Sequence, residues 1–574
     1  MRNWYMNLKL RDLRLAMREQ GVEVLLLNHA DEYQSGYVNE NRQRVAWLCG
    51  FTGSNAFLII RSEGKCIFFT DSRYSIQASL EVDQSCYDIY DMSDVTPAIW
   101  LKENLPLGTI IGYYGELFTL RQIQRFKRFC LKMLSCQMLD KLWDRPMEIR
   151  QRVVTHPVRF AGLESCDKRA ILASKMQSCE SMLITDVDSI SWLLNIRNLD
   201  FAYNPAVLSR AILYKDERVD LFIEGADRVA IDGKGINVLE IDELPNVLKG
   251  LSNIAVDAST IPIYIFDMIK DRVSVIEDQD ACTIFKAKKN AIEIDGMKEA
   301  HVRDGVAVVN FLYWLDCSIA NNLRVTELDA VSKIREFRQQ QDMFMGESFE
   351  TISGFGGNGA IVHYRVDEKS NKVLEKDGIY LIDSGGQYSD GTTDITRTVA
   401  IGAPSVEQVA RFTMVLKGFI AVANAAFPIG TTGAALDVLA RQYLWQKQLN
   451  YGHSTGHGVG SFLSVHEGPQ AISPINSVPL EPGMVLSNEP GYYEQDAYGI
   501  RIENLMYVVD CGRGFYRFRQ LTCVPICLDM IDRSMLSREE IEYLNEYHSF
   551  VFEVIAPRVS EEVKQWLQVA CRRI

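Results

Sequence analysis

Long hydrophobic runs are missing from this chain. Its apolar stretches, such as Val24 to Leu27, are strand-sized and far short of the ~20 residues that a membrane-spanning helix needs. The first ten residues, Met1-Arg-Asn-Trp-Tyr-Met-Asn-Leu-Lys-Leu, hold no continuous apolar segment of the kind a secretory signal carries. There is no Cys-x-x-Cys, Cys523 and Cys527 being separated by three residues, and thirteen cysteines is an odd number. A chain this large does not need disulfide staples, so reduced, mostly buried thiols are expected. Basic runs are also lacking. Lys286-Ala-Lys-Lys289 is the nearest approach in a chain with 61 basic and 75 acidic residues. It reads as a solvated helix face, and neither nucleic acid nor membrane is expected as a partner. Together these absences describe a soluble cytoplasmic protein.

What is present is ordinary in bulk and uneven in detail. Apolar residues at 47% and charged residues at 24% suit a globular protein, and 574 residues exceed what one core organises. An amphipathic stretch from Leu8 to Glu19, an apolar run Val22 to Leu27, then Ala56 to Ile60 and Cys66 to Phe69 predict helix, strand, strand, strand. The order recurs with a helix at Lys168 to Gln177 and strands at Met182 to Thr185, Ala211 to Tyr214 and Val219 to Ile223. A Trp-Leu pair (Trp47-Leu48, Trp192-Leu193) falls at a similar point in each, which predicts a duplicated α/β domain joined near Trp143-Asp-Arg-Pro146. The expected domains are 1–140, 141–288 and 289–574. The third is α+β, with helical patterns to Arg338, then glycine-rich hairpins. Capping boxes at Ser405/Gln408 and Ser537/Glu540 open further helices, the first running to Phe427.

The chemistry concentrates in those hairpins. Only eight histidines occur, and four of them (His363, His453, His457 and His466) fall there. So do two segments with paired carboxylates. In Asp383-Ser-Gly-Gly-Gln-Tyr-Ser-Asp-Gly-Thr-Thr-Asp394, a turn centred on Tyr388 and Ser389 sets Asp383 opposite Asp394. In the segment from Glu489 to Glu503, folding about Asp496 sets those two face to face. Like charges opposed across a sheet repel and push one another's pKa upward. Two divalent cations would neutralise four such carboxylates in full. The glycines at 452, 456, 458 and 460 forbid a helix through the histidine segment, so His453 and His457 are no i, i+4 metal pair on a helix. An oxygen-rich site with one imidazole suits Mn, Co, Fe or Zn and differs from closed structural zinc.

Two further patterns are set aside. Gly452-His-Ser454-Thr-Gly456 matches a serine-hydrolase elbow, but a helix precedes it and a glycine loop follows. Gly354-Phe-Gly356-Gly-Asn-Gly359 matches a dinucleotide fingerprint, yet Ala360 to Tyr364 after it reads as a strand where that motif needs a helix.

The stretches Leu381-Ile-Asp-Ser-Gly-Gly-Gln-Tyr…Asp-Gly-Thr-Thr-Asp-Ile-Thr-Arg-Thr, Gly-His-Ser-Thr-Gly-His-Gly-Val-Gly-Ser-Phe-Leu and Asn488-Glu-Pro-Gly-Tyr-Tyr resemble the pita-bread metallopeptidases, and among them the Xaa-Pro aminopeptidases. Arg44 to Gly53, Phe69 to Tyr74 and Asp188 to Arg197 resemble the two creatinase-like N-terminal domains of the long form. The resemblance implies an α/β N-terminal half and an α+β pita-bread catalytic domain. It also implies two divalent metals, manganese before zinc or cobalt, held by Asp383, Asp394, His457, Glu489 and Glu503. Glu489 would also manage a proton, His363 would lie near the leaving group, and His453 and His466 would contact substrate or assist proton movement. Ser454 departs from the glycine many relatives carry there. The implied substrates are peptides with proline at the second position, and the implied assembly is a homodimer.

Alternatives differ in what they require. A prolidase, cutting Xaa-Pro dipeptides, needs a basic group for the dipeptide carboxylate and usually has a single N-terminal domain. A methionine aminopeptidase needs no such N-terminal half, and creatinase works without metal. A non-catalytic interaction protein on the same fold has no use for five ligands and three neighbouring histidines.

Overall fold

The computed structural model describes residues 2–147, 150–225, 231 and 233–574, residues 2–7 by backbone alone. The chain forms two compact units. One comprises residues 1–158, 163–201 and 206–282; the other comprises 159–162, 202–205 and 283–574.

The first unit carries two six-stranded sheets built to one plan. In the first the order is Tyr87–Asp91, Cys66–Thr70, Phe57–Arg61, Val24–Asn28, Ile110–Tyr114, Cys130–Leu134. In the second it is Ile236–Glu240, Val219–Ile223, Arg210–Tyr214, Ser181–Ile184, Asn253–Val256, Ser274–Glu277. Each sheet opens with a strand that pairs antiparallel on one side and parallel on the other. Those opening strands are buried at every position, which is why they read as uninterrupted apolar runs. The Trp-Leu pairs fall in helices, Arg44–Cys49 and Val187–Leu194. The α/β duplication read from the sequence is thus a duplication of strand order as well.

In the second unit the long helix Ala291–Ala320 starts at a capping box of Asn290 and Glu293. The predicted boxes at Ser405 and Ser537 open Val406–Ala423 and Arg538–Ile555. The first of these helices stops four residues before the predicted Phe427. Ala426–Pro428 turns into a strand against Phe515–Gln520, and Phe427 packs on Phe518 there. A six-stranded sheet, Ala426–Pro428, Phe515–Gln520, Asn504–Asp510, Val485–Asn488, Gly456–Gly458, Glu467–Ile472, lies with a three-stranded one, Ile352–Phe355, Gly378–Ser384, Ile395–Ile401. The unit is α+β, as the sequence predicts for the C-terminal part of the chain.

Three expectations need correction. Ala360 to Tyr364 is not a strand. Gly354 lies in a strand, Ile352–Phe355, and Gly356, Gly357 and Gly359 lie in a short 3-10 helix, Gly356–Ala360. Their purpose is close packing, since a Cβ on Gly357 would stand 2.7 Å from the Asp496 carbonyl and one on Gly499 would stand 1.7 Å from the Gly359 carbonyl. The lysine run is not a solvated face either. Lys286 and Lys289 are buried beside Glu467, and only Lys288 reaches outward, to Glu481. All thirteen cysteines are free as expected, but Cys130, Cys166 and Cys511 are exposed. Among the described residues no helix is long and apolar enough to cross a membrane.

Candidate active site

Gly378–Ser384 pairs antiparallel with Ile395–Ile401, with Asp383 opposite Thr396. The hairpin continues through Gln387 opposite Thr392 and Tyr388 opposite Gly391, so its tip is Ser389-Asp390. That is one residue beyond the predicted centre, and Asp383 and Asp394 are diagonal neighbours instead of a facing pair. The tip is set from outside: Arg303 pairs with the Asp390 carboxylate. Gly296 leaves room for the Asp390 carbonyl, which a Cβ there would meet at 2.4 Å. Because the shift moves the partner by two positions, both carboxylates stay on one face.

The second pair follows the prediction. Val485–Asn488 pairs with Asn504–Asp510, Asn488 opposite Asn504. Further on, Gly491–Glu494 pairs with Tyr498–Arg501, Gly491 opposite Arg501. One register runs through both ladders, turning at Asp496 in the left-handed region, φ 60°, which Asp tolerates better than most residues. Glu489 and Glu503 fill the facing positions between the ladders.

His457 enters on the short strand Gly456–Gly458. Its Nδ1 lies 2.9 Å from the Gly458 carbonyl. A carbonyl only accepts, so Nδ1 carries a proton, and in the neutral ring Nε2 keeps the lone pair a metal would need. That Nε2 stands 3.5 Å from Asp394 Oδ2 and 3.4 Å from Glu489 Oε1. One ligand atom each from Asp394, His457 and Glu503 lies within 4.8 Å of the others. Ser487 donates to Glu489 at 2.9 Å, and Thr396 donates to Glu503 at 2.7 Å. Asp383 Oδ1 and Glu503 Oε1 are buried with no hydrogen-bond partner. Such orphaned buried oxygens are costly unless a cation takes them. An oxygen-rich set with one imidazole therefore fits divalent metal ions.

The electrostatics agree. Burial pushes the Asp394 carboxyl well above its ordinary range, and Asp383 and Glu489 push it further. Glu503 is raised in the same way by burial, then by Asp394, Glu489 and Asp383. Burial also raises Glu489, against the opposing pull of His457 and Arg501.

Arg501 is the cation the sequence reading passed over. It donates to Asp383 from Nη2 at 2.6 Å, to Tyr493 from Nη1 at 2.7 Å and to Thr396 from Nε at 3.0 Å. Burial alone would lower its pKa, but Tyr493 and the surrounding carboxylates hold it well above the ordinary value. A signal existed: in Ile500-Arg-Ile-Glu503 the charged residues alternate with buried isoleucines, so Arg501 and Glu503 share a face. Tyr493 in turn meets His453 Nε2 at 2.8 Å, while His453 Nδ1 donates to the Ser454 carbonyl at 2.8 Å. His466 is exposed and sets its ring 4.4 Å from that of His457, nearly perpendicular. His363 is half-buried on the turn after Gly356–Ala360, outside the close group of Asp394, His457 and Glu503. The elbow-like Gly452 to Gly456 follows helix Gly433–Trp445 and leads into a strand, which is the wrong context for a nucleophilic serine.

A second acidic group, Glu32, Cys136 and Asp140, also brings ligand atoms together. Arg44 fills it, donating to both Asp140 oxygens at 2.8 Å and to Glu32. It is an ion-pair cluster.

Residues 295–510 match Metallopeptidase family M24, and residues 514–574 match the C-terminal region of peptidase M24. Residues 9–139 and 144–293 each match a Creatinase/Prolidase N-terminal domain. An uncharacterized peptidase of Schizosaccharomyces pombe is 36% identical over 97% of this chain and 98% of its own length. A protein of Laccaria bicolor named Probable Xaa-Pro aminopeptidase P is 35% identical over 98% of this chain and 93% of its own. The crystal structure of X-prolyl aminopeptidase from Caenorhabditis elegans, described as a cytosolic enzyme with a di-nuclear active site, superposes with a TM-score of 0.94 at 32% identity. It covers 99% of this chain and 100% of that one.

Proposed function

The chain belongs to metallopeptidase family M24, in the long form with two creatinase-type N-terminal regions, and on that premise we propose that it is a metal-dependent aminopeptidase releasing the residue that precedes proline. The observation that carries the reading is the close grouping of Asp394, His457 and Glu503, with Glu489 3.4 Å from the same His457 Nε2 and with Asp383 Oδ1 and Glu503 Oε1 buried without partners. In this reading Asp383, Asp394, His457, Glu489 and Glu503 hold two divalent ions, with manganese the metal the family resemblance favours. Bound there, the ions supply Lewis-acid polarisation of the scissile carbonyl and acidify water to near neutrality.

The remaining work falls to the chain's own residues. Glu489, anchored by Ser487 at 2.9 Å, is the general base that takes up and returns a proton. The amide nitrogen of proline has no hydrogen and leaves only when protonated, a task proposed for His363. Exposed His466 is proposed to meet the substrate and the developing oxyanion. Both nitrogens of His453 face protein partners, so its proposed role is to act through Tyr493 and Arg501 on Asp383. The cytoplasm as location, a homodimer as assembly and the division into 1–140, 141–288 and 289–574 belong to the same proposal; light scattering and limited proteolysis read the last two.

The test is release of arginine from Arg-Pro-Pro, with Arg-Pro and Met-Ala-Ser alongside, before and after Mn²⁺ is returned to metal-stripped protein. Manganese-dependent release from the tripeptide alone is expected. Preference for the dipeptide would make the protein a prolidase, and no turnover of any of the three would leave a non-catalytic protein on this fold. Asp394→Ala is expected to lose both turnover and bound metal; retention of both would overturn the ligand assignment.

A further inference from the structure

The lysines of Lys286-Ala-Lys-Lys289 converge on one carboxylate. Lys289 Nζ is paired with Glu467 Oε1, and Lys286 Nζ lies 3.4 Å from Oε2. The three side chains are 1%, 6% and 1% exposed for Lys289, Lys286 and Glu467. Two cations around one anion, all out of water, form a costly arrangement that an apolar cluster of the same volume would usually match or better. A reason for it is visible in what Glu467 adjoins. It follows His466 directly, whose ring rests against His457. It also opens the strand Glu467–Ile472, where it pairs with Gly458, while His457 pairs with Ala471. The irregular register between those two pairs makes this a bulged strand with little ladder of its own to fix it. Gly458 is the residue whose carbonyl orients the His457 ring. Gln470 reaches back toward Glu467 Oε1 at 3.4 Å, and a Cβ on Gly458 would meet the Glu467 carbonyl at 2.4 Å. The one buried carboxylate thus anchors the backbone flanking both imidazoles.

We propose that Glu467, gripped by Lys286 and Lys289, is a positioning residue that fixes the bulged strand carrying His466 and supporting His457. It touches neither substrate nor metal and acts through the two histidines. The proposal rests on the active-site reading above.

The test compares the full-length protein with Glu467→Gln, Lys289→Met and the apolar triple variant K286M/K289M/E467L, using Lys288→Met as control. Melting curves establish folding, calorimetric titration with Mn²⁺ reads the metal site, and kcat and KM are measured on Arg-Pro-Pro. Outer partners of metal-binding histidines typically contribute about 10–100-fold in affinity or activity. Glu467→Gln and Lys289→Met are therefore expected to lose about tenfold or more, in kcat and in Mn²⁺ affinity, with KM little changed. The triple variant, free of unpaired buried charge, is expected to melt near the wild-type temperature and still lack kcat. Wild-type kcat in the triple variant would overturn the proposal and reduce the cluster to core filling, as would full kcat in Glu467→Gln. If the wild-type protein itself turns over no peptide, the activity reading fails. Mn²⁺ affinity still decides the positioning role, since unchanged binding in all three variants would overturn it.

Discussion

Each of the three guanidinium nitrogens of Arg501 donates to a different neighbour, Thr396, Tyr493 and Asp383, and that division sets what its replacement does. Lysine offers a point charge in place of a planar fork and cannot reach three such partners at once. Arg501→Lys is expected to keep the metal while lowering kcat, and Arg501→Leu to lose about 10–100-fold in metal affinity as well. Metal analysis beside steady-state kinetics distinguishes the two. Glu327 is a comparable hub built from an anion. Fully buried, it accepts from the Phe355 and Lys372 amides, from Asn358 and from Tyr364, the residue after His363. Glu327→Ala leaves the Phe355 and Lys372 amides without their acceptor, while Asn358 and Tyr364 keep the Ser370 carbonyl. At roughly 1–3 kcal/mol for a buried donor left unsatisfied, several kcal/mol of stability are expected to go. Urea unfolding measures the loss, and activity on Arg-Pro-Pro shows whether His363 moves with it.

Among the elements, the two hairpins were legible because glycine and aspartate mark their turns and alternation marks their faces. The second could be read to the residue: Asp496 is the apex, and the register on both sides depends only on that apex. The first was read one residue short because its tip is fixed by Arg303 and Gly296, some 90 residues earlier in the chain, and a local reading has no access to that contact. The lysine run failed for the same reason, since its partner Glu467 lies 178 residues from Lys289. The metal-ligand candidates, by contrast, sit on short-range turns, and the sequence alone already paired the carboxylates. Close strand approach at the site is also testable. A Cβ on Gly456 would stand 1.9 Å from the Ser487 carbonyl, a contact that only backbone movement relieves. Gly456→Ala is expected to part Gly456–Gly458 from Val485–Asn488, leaving a folded protein by circular dichroism with its Mn²⁺ binding by calorimetry lost.

For the molecule as a whole, pH acts through buried histidines. Burial drives His156 down to about 2 and His548 to about 3, with nearby cations adding to the effect. Between those values and about 6.5 these two groups bind more protons in the unfolded chain than in the folded one, so their contribution to stability is full above pH 6.5 and is lost as pH falls. Each group forfeits on the order of 2 kcal/mol by pH 5. His548 Nε2 accepts from the Ile526 amide at 3.1 Å, and glutamine keeps an acceptor there without the titration. Metal-free His548→Gln is expected to show a shallower acid limb than metal-free wild type in chemical denaturation from pH 7.5 to 5. Metal works from the other side, raising stability by about 2.7 kcal/mol at a hundredfold excess over Kd.

The two sheets of one strand order also bear on how the chain is made. Each has an apolar first strand flanked by the same kinds of neighbour, so a strand of one copy is a credible intruder in the other, the failure typical of tandem domains. Leu134 closes the first sheet and Ser181 opens the second. At about 5–20 residues per second a ribosome needs roughly 2–9 s to travel between them. Domains of this kind fold within about milliseconds to seconds. The first copy therefore closes before its rival exists, and the separation of the copies in time does what divergence of their sequences would otherwise have to do alone.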